Sequence, residues 1–416
     1  MDRITHVCIK NARAIEHVEL ELSRPLTVLI GENGSGKSTI LECLELLRKA
    51  GDASFMDQLY HQHRGLAGLL RKGAPALELG VIIEDDSGVL PRIDYRFSIE
   101  PRGAGAVIAS ERLLVGPIDG ADKPWVALRR SRDGAELFNQ QEGRLVAIPD
   151  EAMRPDRLVI ASFGILAPQK VIERLLAVLR SIEIQLPFDT VASWAARADQ
   201  LSRGPRSSVT LRPAERLDLL GYNLANAWNE LKNGASEDWQ TALGLVRLGL
   251  GDHIDNVQIR ADPGGGSVAL SLFIKGLPGP VLAADLSDGQ LSWLAFVAMA
   301  HLNVNRSLLA VDEPELHLHP SLLGRVISLL STLPGGAPVI LSTHSDRVLE
   351  MLEGPAEAIR VCALEGSRAV VSRVDATELP RWLDEFGDIG QLRAAGYLPR
   401  VLIPLPTAGD RRSEGE

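Results

Sequence analysis

Residues 31–38, which read GENGSGKS, constrain the fold of this chain more strongly than any other segment. They match the pattern G-x-x-x-x-G-K-[ST] at every fixed position, with an apolar run at 26–30 before them and helical apolar spacing at 39–50 after them. Glycines let the backbone curl so that its N–H groups face a phosphate, and the following helix points its positive dipole end at the same place. The segment therefore predicts an α/β domain whose phosphate loop binds a nucleoside triphosphate.

The residue types in this loop predict how the nucleotide is held. Lys37 places a positive charge beside the β- and γ-phosphates, and the Ser38 hydroxyl is a ligand type suited to Mg²⁺. The predicted nucleotide contacts are Gly31, Glu32, Asn33, Gly34, Ser35, Gly36, Lys37, Ser38 and Thr39.

The composition argues against several other classes of protein. Lys and Arg number 44 against 54 Asp and Glu, and the net charge of −10 argues against coating nucleic acid through bulk electrostatics, although it is compatible with a local basic patch. Three widely spaced cysteines fit a reducing cytoplasm better than a disulfide framework or a clustered zinc site. The start does not resemble a signal peptide, and the most apolar stretch, 291–302, is too short to span a bilayer. We therefore expect a cytoplasmic protein with no membrane segment.

Two further apolar strands end in polar residues that suit a nucleotide site. Residues 308–311 run into Asp312 and Glu313; the first is predicted to hold Mg²⁺ through water, and the second to polarise the attacking water as a general base. Residues 339–342 run into His344, which is a candidate to contact the γ-phosphate. Alone, each pattern is more often an ordinary strand end, and the phosphate loop is what favours the functional interpretation.

Two histidines, His317 and His319, raise the alternative of a metal site. They would share a face in a strand, but a helix would point them apart. The segment follows Pro314 and leads into a helix, so a metal site is not favoured.

Residues 286–290, which read LSDGQ, lie directly before the apolar helix at 291–302. Here Ser287, Gly289 and Gln290 present a hydroxyl and backbone N–H groups to an anion at a helix N-terminus. Considered alone, the segment is simply an N-capped helix.

Together these segments resemble a known family. GENGSGKST at 31–39, LSDGQ at 286–290, AVDEPELHLHP at 310–320 and STHS at 342–345 are similar to the head of an ABC-type ATPase. They resemble the RecF, SMC and OLD-like branch of the AAA family ATPases. The residues after Glu313 differ from the Ser-x-Leu-Asp of transporter cassettes, and Asn11 and Arg13 fit the start of the RecF-like branch.

The resemblance implies a dimer in which two heads enclose two ATP molecules. Each nucleotide would contact the phosphate loop and Mg²⁺ site of one subunit and the LSDGQ signature of the other. Glu313 would be the base and His344 the switch. The glutamine loop of the family is left unassigned among Gln140, Gln141 and Gln169. By position, the metal would be held by Ser38 and Asp312, and the signature contacts across the dimer would come from Ser287, Gly289 and Gln290.

The implied fold class is α/β, a P-loop NTPase with a mixed β-sheet core lobe and an inserted, mainly helical lobe. At about 150 residues per domain, the 416 residues predict two to three units. The core lobe is placed at 1–165 plus 305–405, the signature lobe at 166–304, and a disordered tail at 406–416. A β-hairpin is predicted within the signature lobe at 257–260 and 268–275.

Three functions are compatible with these features. The favoured one is an ATPase that dimerises on ATP and regulates a separate effector such as a nuclease, in anti-phage defence or DNA processing. We expect no TOPRIM nuclease domain, since only 72 residues follow His344, and no SMC-type coiled-coil arm. The alternative is a RecF-like DNA-repair ATPase, to which the basic residues at 129–132 would contribute unless they form a solvated loop. A transporter's nucleotide-binding subunit is the least favoured.

Overall fold

The computed structural model describes residues 1–23, 25–103, 105–116, 124–139, 141–163, 170–191, 204–262, 264, 266–303 and 305–405. Four features predicted from the sequence lie outside these ranges: Gln140, Gln169, the tail at 406–416, and the lobe boundaries at 165–166 and 304. The boundaries therefore stay a prediction.

The chain forms strands and helices in the following order. The strands are β1 (Asp2–Ala12), β2 (Ile15–Glu21), β3 (Leu26–Gly31), β4 (Leu77–Asp85), β5 (Ile93–Arg102), β6 (Gly105–Val115), β7 (Trp125–Ser131), β8 (Gly134–Asn139), β9 (Arg144–Ile148), β10 (Ile182–Gln185), β11 (Val209–Thr210), β12 (Ile254–Ala261), β13 (Ser267–Ile274), β14 (Val281–Leu282), β15 (Leu308–Asp312), β16 (Val339–Thr343), β17 (Ile359–Glu365), β18 (Arg368–Val374) and β19 (Leu402–Pro404). The helices are α1 (Lys37–Lys49), α2 (Phe55–His63), α3 (Val159–Phe163), α4 (Lys170–Arg180), α5 (Leu224–Asn233), α6 (Ser236–Leu250), α7 (Asp288–Leu302), α8 (Pro320–Ser331), α9 (Asp346–Glu350), α10 (Pro355–Ala358), α11 (Leu379–Phe386) and α12 (Ile389–Ala394).

One large mixed sheet organises the molecule. Its strands run in the order β10, β15, β16, β3, β17, β18, β2, β1, β4, β5, β6, β7, β8 and β9, with β19 added beside β18. The five strands from β10 to β17 are parallel, whereas the strands from β1 to β9, excluding β3, pair antiparallel. This mixed α/β sheet confirms the predicted fold class.

The two parts of the sheet meet between β18 and β2. In the described part of the chain, one register pair joins these strands, Ala369 opposite Ile15. The N–H of Ala369 also donates to the carbonyl of Ala14 at 2.8 Å. The part of the sheet from β10 to β18 and the part from β2 to β9 therefore meet at a short, narrow seam.

Alternating side chains of the parallel strands fill a core on each face of the sheet. In β3, Leu29 belongs to the core that contains α1 and α4, while Val28 and Ile30 belong to the core that contains α5 and α7. The whole of β3 is buried, as expected for a parallel strand covered on both faces. The register aligns Gly31 with Cys362 and Ser342 with Asp312, so the strand ends that carry polar residues share one edge.

The segment at 204–302 combines helices with a small sheet. Strands β11, β13 and β12 pair in that order, and β14 adds to β13. The predicted hairpin is confirmed as β12 and β13, with Ile259 opposite Leu270. The short strand β10 differs from the prediction, because its residues were assigned to the signature lobe but pair with β15 in the main sheet. Four residues are too few for periodicity to indicate their partner. No helix in the described ranges is long and apolar enough to cross a membrane.

Trp228 holds three helices of the second core together. Its ring is fully buried on α5, its Nε1 donates to the carbonyl of Leu294 on α7 at 3.2 Å, and it packs edge-to-face on Trp239 of α6. The signature helix α7 is thereby fixed to its neighbours.

Replacing this ring tests the packing of the signature helix. We expect Trp228→Ala to lower the free energy of unfolding by about 3–5 kcal/mol, because it leaves a large cavity between three helices. Trp228→Phe should cost clearly less, since it keeps most of the apolar volume. Urea unfolding followed by far-UV circular dichroism measures both, and a loss below about 1 kcal/mol for Trp228→Ala would contradict this packing.

Candidate functional site

The phosphate loop connects the end of β3 to the start of α1 in a conformation that requires glycine. Gly34 and Gly36 have φ values of +80° and +102°, in the left-handed region that side chains disfavour. A Cβ on Gly31 would lie 2.0 Å from the carbonyl oxygen of Cys362, and one on Gly36 would lie 3.2 Å from Cβ of Ala369. The loop is thus packed directly against β17 and the seam of the sheet.

The Lys37 ammonium lies at the centre of the site. Only 4% of the residue is exposed, and Nζ donates to the carbonyls of Gly31 at 2.8 Å and Glu32 at 3.1 Å. Burial lowers the pKa of Lys37, and the nearby carboxylates of Asp312 and Glu313 oppose this effect. The loop and the acidic strand end therefore hold the cation between them.

The acidic pair follows β15 with an unusual backbone. Glu313 has φ +44°, and its N–H donates to the carbonyl of Ser342 at 2.7 Å. A residue other than glycine with a positive φ carries local backbone strain, which is typical of functional sites. The result is that Glu313 turns toward the next strand end, and its Oε1 lies 3.3 Å from Nε2 of His344.

The hydrogen-bond network assigns the tautomer of His344. Its Nδ1 lies 3.4 Å from Nζ of Lys37, and an ammonium can only donate, so Nδ1 accepts. The imidazole proton then lies on Nε2 and faces the carboxylate of Glu313. Three residues that the sequence predicted separately, Lys37, Glu313 and His344, therefore form one connected chain.

Glu315 is a site residue that the sequence analysis missed. Its Oε1 accepts from the hydroxyl of Thr343 at 2.6 Å and from the backbone N–H of His344 at 3.2 Å. The hydroxyl of Thr343 in turn accepts from the N–H of Ser345 at 2.9 Å. Glu315 thus fixes residues 343–345, which we call the switch loop. The only sequence signal for this role was a second carboxylate two residues after Glu313.

The signature segment forms a complete capping box. The backbone N–H of Gln290 donates to Oγ of Ser287 at 3.3 Å, and the N–H of Ser287 donates to Oε1 of Gln290 at 2.9 Å. Asp288 is held by Arg206, at 2.6 Å. Because Arg206 is 82 residues away in the chain, local patterns could not reveal this anchor.

The signature helix begins against the turn that follows Glu313. A Cβ on Gly289 would lie 3.1 Å from the carbonyl oxygen of His317, whose φ is +64°. His319 has a different role, since its Nδ1 accepts from the N–H of Ser321 at the start of α8. The two histidines thus contribute to the turn and to a helix cap.

The residues around the loop fit a bound magnesium–nucleotide complex. Ser38 is exposed in the first turn of α1, and Asp312 is half-exposed at the end of β15. Among the described residues, the buried hydroxyls of Ser35 and Ser342 have no hydrogen-bond partner. Oxygen ligands in the first turn of α1 and at the end of β15 suit Mg²⁺, which would neutralise phosphate charge when bound.

Of the three sequence candidates for the glutamine loop, Gln141 lies among the described residues, and it is far from the phosphate loop. Gln141 lies in the turn between β8 and β9, at the far end of the main sheet from β3. Gln185, which the sequence analysis did not consider, ends β10 opposite Val311, one residue before Asp312. Its Nε2 donates to the carbonyl of Leu219 at 2.6 Å. We propose Gln185 as the glutamine-loop residue.

Comparison with models of known families identifies the family of this chain. A family model described as "AAA domain, putative AbiEii toxin, Type IV TA system" matches residues 26–350. The chain belongs to this AAA-domain family. The match begins in β3 and extends beyond the switch histidine, so it includes every site residue described above.

Two curated proteins resemble parts of this AAA-domain chain. The Old nuclease of Escherichia phage P2 is 40% identical over 75 residues, which is 18% of this chain and 12% of that nuclease. The DNA replication and repair protein RecF of Nitrosococcus oceani is 45% identical over 47 residues, which is 11% of this chain and 13% of RecF. The matched segments thus span about an eighth of the length of these relatives.

Solved SMC heads share the fold of the AAA-domain chain. An Smc head bound to the C-winged helix domain of ScpA has 13% identity and a TM-score of 0.51, covering 91% of this chain and 99% of that one. An Smc head bound to the C-terminal domain of ScpA, derived from Pyrococcus furiosus, has 13% identity and a TM-score of 0.50, covering 92% and 99%. Together with the sequence matches, these confirm the predicted resemblance to RecF, SMC and OLD-type ATPase heads.

Two substitutions separate nucleotide binding from turnover at this site. Lys37→Ala removes the buried cation, so we expect ATP affinity to fall about 10- to 100-fold. Glu313→Gln keeps the shape but not the base, so ATP should still bind while hydrolysis slows about 100-fold or more. Fluorescent-nucleotide titration and phosphate release measure the two effects.

Lys232→Ala, an exposed position on α5, is the matched control and should change neither quantity. Tight ATP binding by Lys37→Ala would contradict the loop assignment. Near-normal turnover by Glu313→Gln would remove this carboxylate from the mechanism.

Proposed function

We propose that the chain binds ATP with Mg²⁺, closes as a homodimer around two nucleotides, and hydrolyses them. The observation that carries this proposal is the convergence of Lys37 and Glu313 on His344, which lies 3.4 Å from Nζ of Lys37 and 3.3 Å from Oε1 of Glu313. The three residues follow the ends of three parallel strands at one edge of the sheet, where nucleotides bind in such folds.

The geometry supports a division of labour in hydrolysis. The loop N–H groups and Lys37 would hold the β- and γ-phosphates, while Ser38 and Asp312 would hold Mg²⁺. Nε2 of His344 lies 3.3 Å from one oxygen of Glu313, which leaves the other oxygen to take a proton from the attacking water. Glu315 and Thr343 keep the switch loop in place during this step.

The signature segment supports the dimer. Ser287 is exposed at the start of the 15-residue helix α7, and its capping box rigidifies the N-terminus. A helix N-terminus attracts anions, so it suits the γ-phosphate held by a partner head. ADP lacks that phosphate, and only a ligand with differential contacts shifts the equilibrium toward the closed pair.

The biological role that we favour is regulation of a separate effector, such as a nuclease, in anti-phage defence or DNA processing. The partial matches to the Old nuclease and to RecF support a connection with nucleic-acid metabolism. The Smc heads solved in complex with ScpA show that heads of this fold dock other proteins.

The alternative, direct DNA binding in the manner of a RecF-like repair ATPase, receives less support from the basic segment on β7. Arg129 pairs with Glu136, and Arg132 pairs with Glu100. Arg130 is buried and donates to the carbonyls of Arg154 and Arg157. These cations are engaged within the chain, which weakens them as a phosphate-binding patch. A transporter subunit remains the least favoured role.

Mixing two inactive variants tests the shared site. Ser287→Arg should block closure while sparing ATP binding by the isolated head, and Lys37→Ala should lose ATP. In a mixed dimer one composite site carries both lesions and the other carries none. We therefore expect partial ATPase activity to return on mixing, measured by phosphate release.

A mixture of Lys37→Ala with Glu313→Gln is the matched control, because both lesions affect the same side of each site and neither site is intact. Activity in this control mixture would count against the shared site. So would the absence of activity from the first mixture, if mixed dimers form and trap no ATP at either site.

Purification with the products of neighbouring genes tests the effector. We expect a protein to co-elute with the chain in a manner that depends on ATP, and the ATP-trapping variant Glu313→Gln should retain it best. The chain alone should hydrolyse ATP without cutting DNA in Mg²⁺ or Mn²⁺. If the pure chain cuts DNA and a mutation in the chain abolishes this cleavage, the proposal of a separate effector is wrong.

A further inference from the structure

Two short helices, α11 and α12, pack against each other, and α12 lies next to the helix that follows the switch histidine. We call residues 379–401, which contain them, the C-terminal clamp. Helix α12 packs on α9, and α9 begins at Asp346, two residues after the switch histidine His344. The clamp is therefore in contact with the element that carries the switch loop.

The contact between the two helices is close and specific. Arg393 on α12 forms an ion pair with Asp346 at the start of α9, and three-quarters of the Arg393 side chain is buried. A Cβ on Gly390 would lie 3.3 Å from Cβ of Asp346, so the backbones approach more closely than larger residues would allow. Buried Ile389 and Leu392 attach α12 to the core.

Arg393 also neutralises a charge beside the switch loop. Pairing with Asp346 offsets a carboxylate that would otherwise repel phosphate two residues from His344. Arg393 thus has a geometric and an electrostatic connection to the site.

We propose that Arg393 is a positioning residue that acts through Asp346 to hold His344 against Glu313. The ion pair fixes the first turn of α9, and the switch loop enters that turn directly from His344. This inference rests on the proposed ATPase function, since it names what sets the geometry of the same site. It assigns the clamp a role that lies outside the loop, the acidic pair and the signature.

Kinetics of Arg393→Gln test the proposal. A misplacement of about 1 Å at a catalytic group can cost up to 100-fold in rate, so we expect kcat to fall about 10- to 100-fold. The Kd for ATP should change less than about 3-fold, because Lys37 and the loop remain. Arg381→Gln, an exposed position on α11, should leave both values unchanged. A kcat within about 2-fold of the parent for a folded Arg393→Gln would overturn the proposal.

Charge exchange separates positioning from a direct role on phosphate. The double variant Asp346→Arg with Arg393→Asp rebuilds an ion pair with reversed polarity, and it should recover at least part of the kcat lost in either single variant. No recovery in a double variant that unfolds at the same temperature as the parent would overturn action through Asp346.

A measurement independent of turnover keeps this proposal distinct from the ATPase function. The imidazole resonances of His344, assigned with a His344→Gln variant, should shift in Arg393→Gln and not in Arg381→Gln. If the resonances do not move, the positioning role of Arg393 is wrong even if the parent hydrolyses ATP. If the parent has no turnover, the proposed ATPase function is wrong, and the resonances still test the positioning role of Arg393.

Discussion

The parallel pairing of β3, β16 and β15 is the constraint on which the site depends. Parallel strands end at the same edge of a sheet, and here the register sets Ser342 opposite both Leu29 and Asp312. Glu313 and His344 therefore follow neighbouring strand ends, within contact distance of the loop after β3. A slip of one residue in either pairing would turn these side chains to the other face and separate the base from the switch.

The sequence predicted those parts of the site that local patterns encode. The loop, the acidic strand end and the switch histidine each combine an apolar strand with a characteristic polar end, so their positions followed from spacing alone. Glu315 and Arg206 escaped prediction because their roles depend on contacts 28 and 82 residues away. Periodicity describes one element at a time, and it carries no information about which distant element will supply a partner.

The fold was predictable to a similar extent. The long apolar strands and the hairpin β12–β13 were recognisable from alternation and turn residues. The four residues of β10 were not recognisable, so the position of Gln185 beside the acidic strand end could not be predicted either. The same strand carries a buried ion pair that was also not predicted, because Glu183 pairs with the fully buried Arg306 at 3.1 Å. Such pairs form only once the strands have assembled.

The narrow seam at Ala369 and Ile15 has a mechanical consequence. A sheet resists bending through its ladder of hydrogen bonds, and a junction with one register pair is its most compliant line. Gly36 of the phosphate loop packs on both seam residues, so the phosphate loop lies at the axis about which the sheet would twist. Seven strand spacings of about 4.8 Å separate β2, beside the seam, from β9 at the edge of the sheet. A twist of a few degrees at the seam would displace this edge by a few ångströms and so amplify a small movement at the phosphate loop.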